Sequence, residues 1–368
     1  MRALLKELGR WTASGRTGAV ARVVGIDGSG PRPPGTAMAV RDDGELVGSV
    51  AGGCVEGAVV ERSLELLATD GHALEIFGFG EDDAIAVGLT CGGTIRLFID
   101  LLDTWPADLR RFLIEAIDHH RPVALATVLE GPGTASKMLV GPDTEPIGSL
   151  GDPDHDRVVA RDALGGIDAG ATGTRHYGPH GETPTDTTVA VFVQTFAPSP
   201  RMVIFGAVDF TAALADVAKL LGYHVTVCDA RAPFATAKRF PMADAVEVDW
   251  PDRLVGRMSD TLGPRDAICV LTHDPKFDVP TIRAALASRV GYLGAMGSRR
   301  THSTRLARLR EEGVDDESLA RLHAPIGLDL GAQTPKETAI SIFAEIIARR
   351  TGRGPTISSL SATDGPIH

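Results

Sequence analysis

At 368 residues with 43% hydrophobic content, the chain is long enough for two or three domains that each bury a core. Its 37 basic against 48 acidic residues leave a net charge of −11, which disfavours general nucleic-acid affinity and confines any anion site to a local patch. No apolar run approaches the roughly 20 residues that span a bilayer, and MRALLKELGRW reads as a short amphipathic helix rather than a signal peptide, so a cytoplasmic protein without a membrane partner is expected.

The first helix is predicted over residues 3–12 and a strand over 18–26. Glycines and prolines from Gly28 to Gly35 forbid regular structure, and strands resume over 36–40 and 45–50 around the Asp42-Asp43-Gly44 turn. The segment AGGCVEGAVVERSLELL turns at Gly52-Gly53 and continues with Val55, Val59, Leu64 and Leu67 at broadly helical spacing. Cys54 is thereby expected at a helix N-terminus, where the dipole and free amides favour a thiolate; a small packing residue is the alternative. Cys91, Gly92 and Gly93 repeat the thiol-Gly-Gly arrangement ahead of a strand over 94–100. The four cysteines, Cys54, Cys91, Cys228 and Cys269, are spread singly, so neither a metal site nor a disulfide framework is expected.

An echo at an offset of 100 residues pairs Glu45-Leu-Val-Gly-Ser-Val50 with Glu145-Pro-Ile-Gly-Ser-Leu150 and points to an internally duplicated N-terminal α/β domain. The second copy carries Asp152, Pro153 and Asp154 where the first has Gly52, Gly53 and Cys54, so a glycine-and-thiol site belongs to the first copy. Loops around a short strand over 165–186, a closing strand over 188–196 and the linker Ala197-Pro-Ser-Pro200 set the domain boundary at 198.

From Met202 the pattern MVIFGAVDFTAALADVAKLLGYHVTVCDAR reads strand, turn, helix, strand: the first unit of a Rossmann-like, doubly wound domain over 199–350. A full G-x-G-x-x-G would set glycines at 206, 208 and 211, whereas the chain has Gly206, Val208 and Thr211. Val208 would project into the space of a pyrophosphate, so ordinary NAD(P) binding is not expected, although Asp229, followed by Arg231, stands where ribose hydroxyls would lie. A strand over 266–272 delivers His273 and Asp274 to the carboxyl edge of the sheet, either as a base and its orienter or as a surface histidine beside a turn.

Between residues 279 and 310 there are seven arginines and no acidic residue. With Ser298 or Thr301 as a helix cap, Gly297, Ser298, Arg299, Arg300 and His302 cluster about the N-terminal amides, chemistry suited to phosphate. Arg305, Arg308 and Arg310 read as a solvated helix face. The loop 323–329 is too apolar for a solvent linker and is expected to pack against a ligand or partner. Thr334-Pro335-Lys336-Glu337 is a capping box, and 351–368 reads as a frayed tail.

AGGCVEG at 51–57, GLTCGG at 88–93, LTHDPKFDVP, YLGAMGSRRTH, LHAPIGLDLGAQTPKETA and the IFGA turn together resemble the XdhC/CoxI family. The resemblance covers roughly 20–100 and 200–350; residues 101–198 carry no motif of it. It implies an accessory factor that binds the molybdopterin cofactor (molybdenum cofactor) as cargo through the thiol loops, including Glu56, and the basic helix start. A cysteine desulfurase and the large subunit of a molybdenum hydroxylase, of xanthine dehydrogenase or carbon monoxide dehydrogenase type, are its implied partners. The chain departs from the family's usual GAG at Val208. An NAD(P)-dependent oxidoreductase is the other reading, supported by the β-α-β unit and Asp229 but opposed by Val208 and by the lack of a convincing catalytic pair. A maturation chaperone is favoured over an enzyme, with Cys54 as the functional thiol and Cys91 as its second member. Cys228 and Cys269, inside strand-like runs, are expected to be packing residues, and a symmetric homodimer is expected on general grounds.

Overall fold

A computed structural model describes residues 2–30, 32–78, 93–182, 188–353 and 357–358, in two compact units, Met1–Pro198 and Ser199–Ser358. Among the described residues no helix is long and apolar enough to cross a membrane.

In the first unit one order of elements occurs twice. The first copy runs α1 (Arg2–Ala13), β1 (Gly18–Asp27), β2 (Ala37–Arg41), β3 (Leu46–Gly48), α2 (Glu56–Thr69), β4 (Ala73–Phe77) and β5 (Thr94–Leu101). The second runs α3 (Ala107–Asp118), β6 (Val123–Glu130), β7 (Lys137–Gly141), β8 (Thr144–Ser149), α4 (Pro153–Ile167), β9 (Gly173–Tyr177) and β10 (Val189–Phe196). Each copy forms an antiparallel sheet, in the orders β3-β2-β1-β5-β4 and β8-β7-β6-β10-β9, so the short sequence echo reflects a duplicated fold. Register makes the correspondence residue-specific: Arg22 lies opposite Ala37 as Thr127 lies opposite Lys137, and Val20 opposite Asp100 as Leu125 opposite Gln194.

Val59 and Leu66 of α2 pack with Ala21, Val23 and Leu97 on one face of the first sheet, and Val158, Val159 and Ala163 of α4 do the same for the second. The other faces come together in a core of Val20, Ala39, Leu125 and Leu139 with Leu4 and Leu8 of α1 and Leu109 and Leu113 of α3. Burial on both faces explains why β1 and β6 read as nearly unbroken apolar runs rather than as alternating strands.

One charged cluster interrupts this core. Arg22 is fully buried, donates to Thr127 Oγ1 at 3.1 Å and reaches Asp100 at 3.5 Å, while the buried Lys137 ammonium contacts the same carboxylate and donates to the Ala135 carbonyl at 2.8 Å. Both cations lie over the Trp105 ring. Burial pushes the pKa of each below its ordinary value, against the attraction of Asp100. Removing the carboxylate would leave two uncompensated buried cations. Asp100→Asn is therefore expected to cost about 3–5 kcal/mol in urea unfolding and Lys137→Met distinctly less, because the latter leaves a one-to-one pair.

The second unit comprises β11 (Arg201–Phe205), α5 (Asp209–Leu220), β12 (His224–Cys228), β13 (Ala245–Glu247), α6 (Pro251–Met258), β14 (Ala267–Val270) and α7 (Pro275–Leu286). It continues with β15 (Tyr292–Ala295), α8 (Arg299–Glu311), α9 (Asp316–Leu319), β16 (Leu322–His323) and α10 (Pro335–Arg350). Its parallel sheet has the order β13-β12-β11-β14-β15-β16, reversing between β11 and β14, where sheets of this kind open a ligand crevice. Leu214 and Ala218 of α5 with Ile342 and Phe343 of α10 cover one face; Leu254, Ile282 and Leu309 of α6, α7 and α8 cover the other. The capping box at α10 forms, with Thr334 Oγ1 accepting from the Glu337 amide and Glu337 accepting from the Thr334 amide. The loop 323–329, expected against a ligand or partner, packs on α10 of its own unit: Gly327 donates to Glu345 at 2.9 Å, and Leu328 exchanges backbone and side-chain bonds with Ser341.

Candidate functional site

In the first unit the thiol loop is organised by an acid. Glu56, the first residue of α2, folds back over the segment before it: one oxygen accepts from Ser49 Oγ at 2.7 Å and the Ala51 amide at 2.9 Å, the other from the Gly53 amide at 2.7 Å. Gly52 and Gly53 take φ of +74° and +117°, which brings these amides round to a single carboxylate. Burial would raise the pKa of Glu56, but the bonds from Ser49 and the loop amides outweigh it and hold it at about 2. The second copy repeats the device, with Asp156 accepting from Ser149 Oγ at 2.7 Å and the Leu150 amide at 2.6 Å. Glu56, expected among the cofactor ligands, thus has both oxygens engaged by its own loop.

Cys54 sits in this loop, half-buried against the core below α2. The N-cap of α2 is Val55, so the thiol lies just outside the helix rather than at its first turn. The Ala51, Gly53 and Val55 amides that would favour a thiolate donate to Glu56. Cys91 and Gly92 lie outside the described residues. Gly93 is packed so closely on Ser29 that an added Cβ would fall 2.1 Å from its carbonyl oxygen, and only glycine fits there. Cys228 and Cys269 are fully buried in strands; burial pushes the Cys228 thiol up to about 12 and raises that of Cys269 as well.

In the second unit the opening turn is occupied by its own side chains. Gly206 adopts φ +106° at the end of β11, and a Cβ there would meet Thr272 at 3.0 Å. Asp229, buried at the end of β12, accepts from the Ala207 amide at 2.8 Å and from Arg231 through its amide, Nε and Nη2 at 2.8–3.0 Å. Burial alone would raise its pKa; the Arg231 and Ala207 bonds bring it below the usual carboxylate range. Arg239 donates to the Ala207 carbonyl at 3.1 Å. Val208 is the N-cap of α5 and packs against the core. The carboxylate placed for a ribose therefore secures the turn instead.

A cleft of about 240 Å³ opens beside the carboxyl ends of β14 and β15, lined by His273, Val279, Arg300, Thr304, Arg305 and Arg308 among others. Its floor is a buried ion pair: Arg305 Nη2 donates to Asp278 at 2.7 Å and to the Met296 carbonyl at 2.9 Å, and Asp278 also accepts from Thr272. Arg305 Nη1 is buried without a hydrogen-bond partner among the described residues. Arg300 and Arg308 are exposed and form no ion pair among the described residues. Arg305 and Arg308, read from the sequence as a solvated face, are thus cleft residues; the 300, 301, 304, 305, 308 spacing of one helix face was the signal that could have found them. Arg310 does behave as a surface residue, paired with Asp316 at 2.9 Å.

The remaining expected residues divide around this cleft. Ser298 caps α8 by accepting from the Thr301 amide at 3.1 Å, after Gly297 at φ +142°. Arg299 is exposed and does not line the cleft, and neither does His302. Burial, and then the Arg305 charge, lower the His302 pKa, so its ring is neutral at pH 7. His273 is exposed at the cleft, while Asp274 caps α7 through the Lys276 amide at 3.1 Å and pairs with the Lys276 ammonium, which holds it below the usual carboxylate range. No hydrogen bond joins His273 to Asp274 among the described residues, so they are not assembled as a base and its orienter. Nor does any group of three His, Cys, Asp or Glu side chains among those residues suit a metal ion.

The fold and site define a two-part α/β protein, a duplicated unit bearing a thiol loop and a Rossmann-type unit with an arginine-walled cleft at the ligand edge of its sheet. Residues 202–346 match the family model of the XdhC Rossmann domain, and residues 11–78 and 116–178 match that of the XdhC and CoxI family. The chain belongs to the XdhC/CoxI family. The second matched segment falls in the copy where sequence reading found no family motif. A Bacillus subtilis protein named as a probable xanthine dehydrogenase subunit is 28% identical over 90% of this chain and 92% of its own length. The molybdenum cofactor insertion chaperone PaoD of Escherichia coli is 27% identical over 92% of this chain and 85% of its own length. The crystal structure of a Bacillus halodurans protein described as a xanthine dehydrogenase has a TM-score of 0.68 at 22% identity, covering 97% of this chain and 98% of that one, which shows the shared fold.

Two outcomes follow from the thiol loop. Because the folded pKa of Glu56 is near 2 against an ordinary 4.5, its stabilisation is complete above about pH 4.5 and is lost as pH falls towards 2. Glu56→Gln is expected to remove roughly 2–3 kcal/mol at pH 7, after allowance for partial exposure, and to flatten the acid limb of the stability profile in urea melts. Of the three described cysteines, Cys54 is expected to be alkylated by iodoacetamide in the native protein, with Cys228 and Cys269 modified only on unfolding, as mass mapping would show.

Proposed function

We propose that this chain is an accessory factor in the maturation of a molybdenum enzyme, one that binds the molybdenum cofactor as cargo and delivers it to a molybdenum hydroxylase. The observation that carries this reading is the likeness to PaoD, named as an insertion chaperone for that cofactor, along 92% of the chain. The chain's own chemistry supports it in two places. Arg300 and Arg308 around the buried Arg305 offer charge-assisted donors to a phosphate such as molybdopterin carries, with Gly297, Ser298 and the α8 amides behind them. Cys54, between Gly53 and Glu56, offers a soft sulfur ligand suited to molybdenum or to sulfur in transit. On this reading a cysteine desulfurase supplies the terminal sulfur, the hydroxylase large subunit receives the loaded cofactor, and the chain acts as a homodimer.

A nicotinamide-dependent oxidoreductase would draw on the Rossmann-type sheet, but the bonded state of Asp229 and the core-packed Val208 both weigh against it. The test is direct. Chain purified from cells that make the cofactor is expected to carry molybdenum together with a pterin that fluoresces after oxidation. Arg300→Ala with Arg308→Ala is expected to weaken retention roughly tenfold, about 1.4 kcal/mol. Cys54→Ser should lower activation of the hydroxylase without moving the thermal midpoint. A chain without molybdenum and pterin, whose variants activate the hydroxylase as well as wild type does, would sink the proposal.

A further inference from the structure

The duplication of the first unit builds two equivalent clefts, and the two copies treat them differently. One, of about 290 Å³, is lined by His72, Thr134, Ala135, Ser136, Lys137 and Ser149. The other, wider at about 630 Å³, is lined by Gly35, Thr36, Ser49, Thr172, Gln194 and Phe196. Ser49 answers Ser149, Thr36 answers Ser136, Gly35 answers Ala135, and Thr172, just before β9, answers His72, just before β4.

What distinguishes them is the polar group at the matching position of the sheet. In the first copy it is Asp100, which does not line its cleft and is taken up by two buried cations, Lys137 and Arg22. In the second it is Gln194, only 4% exposed and lining its cleft. Gln194 Nε2 donates to the Gly35 carbonyl at 2.7 Å, and since a carbonyl can only accept, that bond fixes which end of the amide is oxygen. Oε1 is left buried with no hydrogen-bond partner among the described residues. A buried acceptor of this kind is held at a cost in stability unless something donates to it.

We propose that the Gln194 cleft is the seat of a planar heterocycle that presents an N–H edge to Oε1 and lies along Phe196. Resting on the function proposed above, the heterocycle is the pterin of the cargo, whose amide and amidine edge is rich in N–H donors. The Phe196 ring supplies an apolar, stackable wall, the Thr36 and Thr172 side chains supply polar ones, and Thr172 is itself steadied by a 3.1 Å contact with Thr195 Oγ1. The lining also includes Ser49, the residue that opens the Cys54 loop and is tied to Glu56, so a ring seated here lies beside the thiol loop of the first copy. The Lys137 cleft, open but with its matching carboxylate taken up by cations, is the relic of the same site.

The test uses the intact chain and biopterin, whose fluorescence reports binding. Wild type is expected to quench it saturably, and Gln194→Leu, which removes the acceptor, to weaken binding at least tenfold. Phe196→Leu keeps an apolar residue against the core and breaks none of the hydrogen bonds described, so it guards against a folding artefact of the Gln194 change; it is expected to weaken binding severalfold while the chain still unfolds in a cooperative thermal transition. Ser136→Ala, in the other cleft, should bind as wild type. No saturable quenching, wild-type quenching by both Gln194→Leu and Phe196→Leu, or an equal loss in Ser136→Ala would each overturn the assignment. Molybdenum content separates this from the function itself. A chain that carries molybdenum cofactor equally well with Leu at 194 keeps its function and loses this cleft; one that binds biopterin through Gln194 yet never carries molybdenum keeps the cleft and loses the maturation role.

Discussion

One carboxylate, Asp100, stands against two buried cations where the two sheets of the first unit meet. Ionised groups leave water only at a large cost, so the sheets must meet in the arrangement that brings Arg22 and Lys137 to the same oxygen. A slip of one residue in β1 would carry Arg22 to the face covered by α2 and strand its charge among Val59 and Leu66. The register that avoids this also sets which residues line the two clefts, and with them the polar groups that each copy offers.

The same economy of carboxylates recurs across the molecule. Glu56 and Asp156 each close a loop after the third strand of their copy, Asp229 holds the Rossmann turn, and Asp278 anchors Arg305 under the arginine cleft. Each acid is matched to donors in its own neighbourhood. In a protein of net charge −11, Arg300 and Arg308 nevertheless keep exposed guanidinium groups without a salt bridge among the described residues, and that local imbalance suits the α8 cleft to an anion.

On the function proposed above, loading and release of a cargo would need binding groups that are held ready without being consumed by the fold. Arg305 Nη1 in one unit and Gln194 Oε1 in the other meet that description: each is buried, each belongs to a side chain fixed by its remaining bonds, and neither has a hydrogen-bond partner among the described residues. Pre-oriented groups of this kind lower the ordering cost of binding a ligand.

Much of the fold was legible in the amino-acid order because it rests on local rules. The β-α-β unit from Met202, the capping box at Thr334, the Ser298 cap and the echo between residues 45–50 and 145–150 are patterns of spacing and turn chemistry, and all of them form. So was the packing role of Cys228 and Cys269, since a cysteine inside an apolar strand is buried by its neighbours. The use of each polar group was not legible, because it depends on which partner arrives from elsewhere in the chain. Glu56 and Asp229 read as ligands until their own loops took them, Arg305 read as solvated until Asp278 met it across 27 positions, and Gln194 drew no notice until Gly35, 159 positions away, claimed one end of its amide. Apolar periodicity and turn residues by themselves determined the elements and their order; only the tertiary structure decided which donors and acceptors remained open, because hydrogen bonding and charge pairing are settled by contacts distant in sequence.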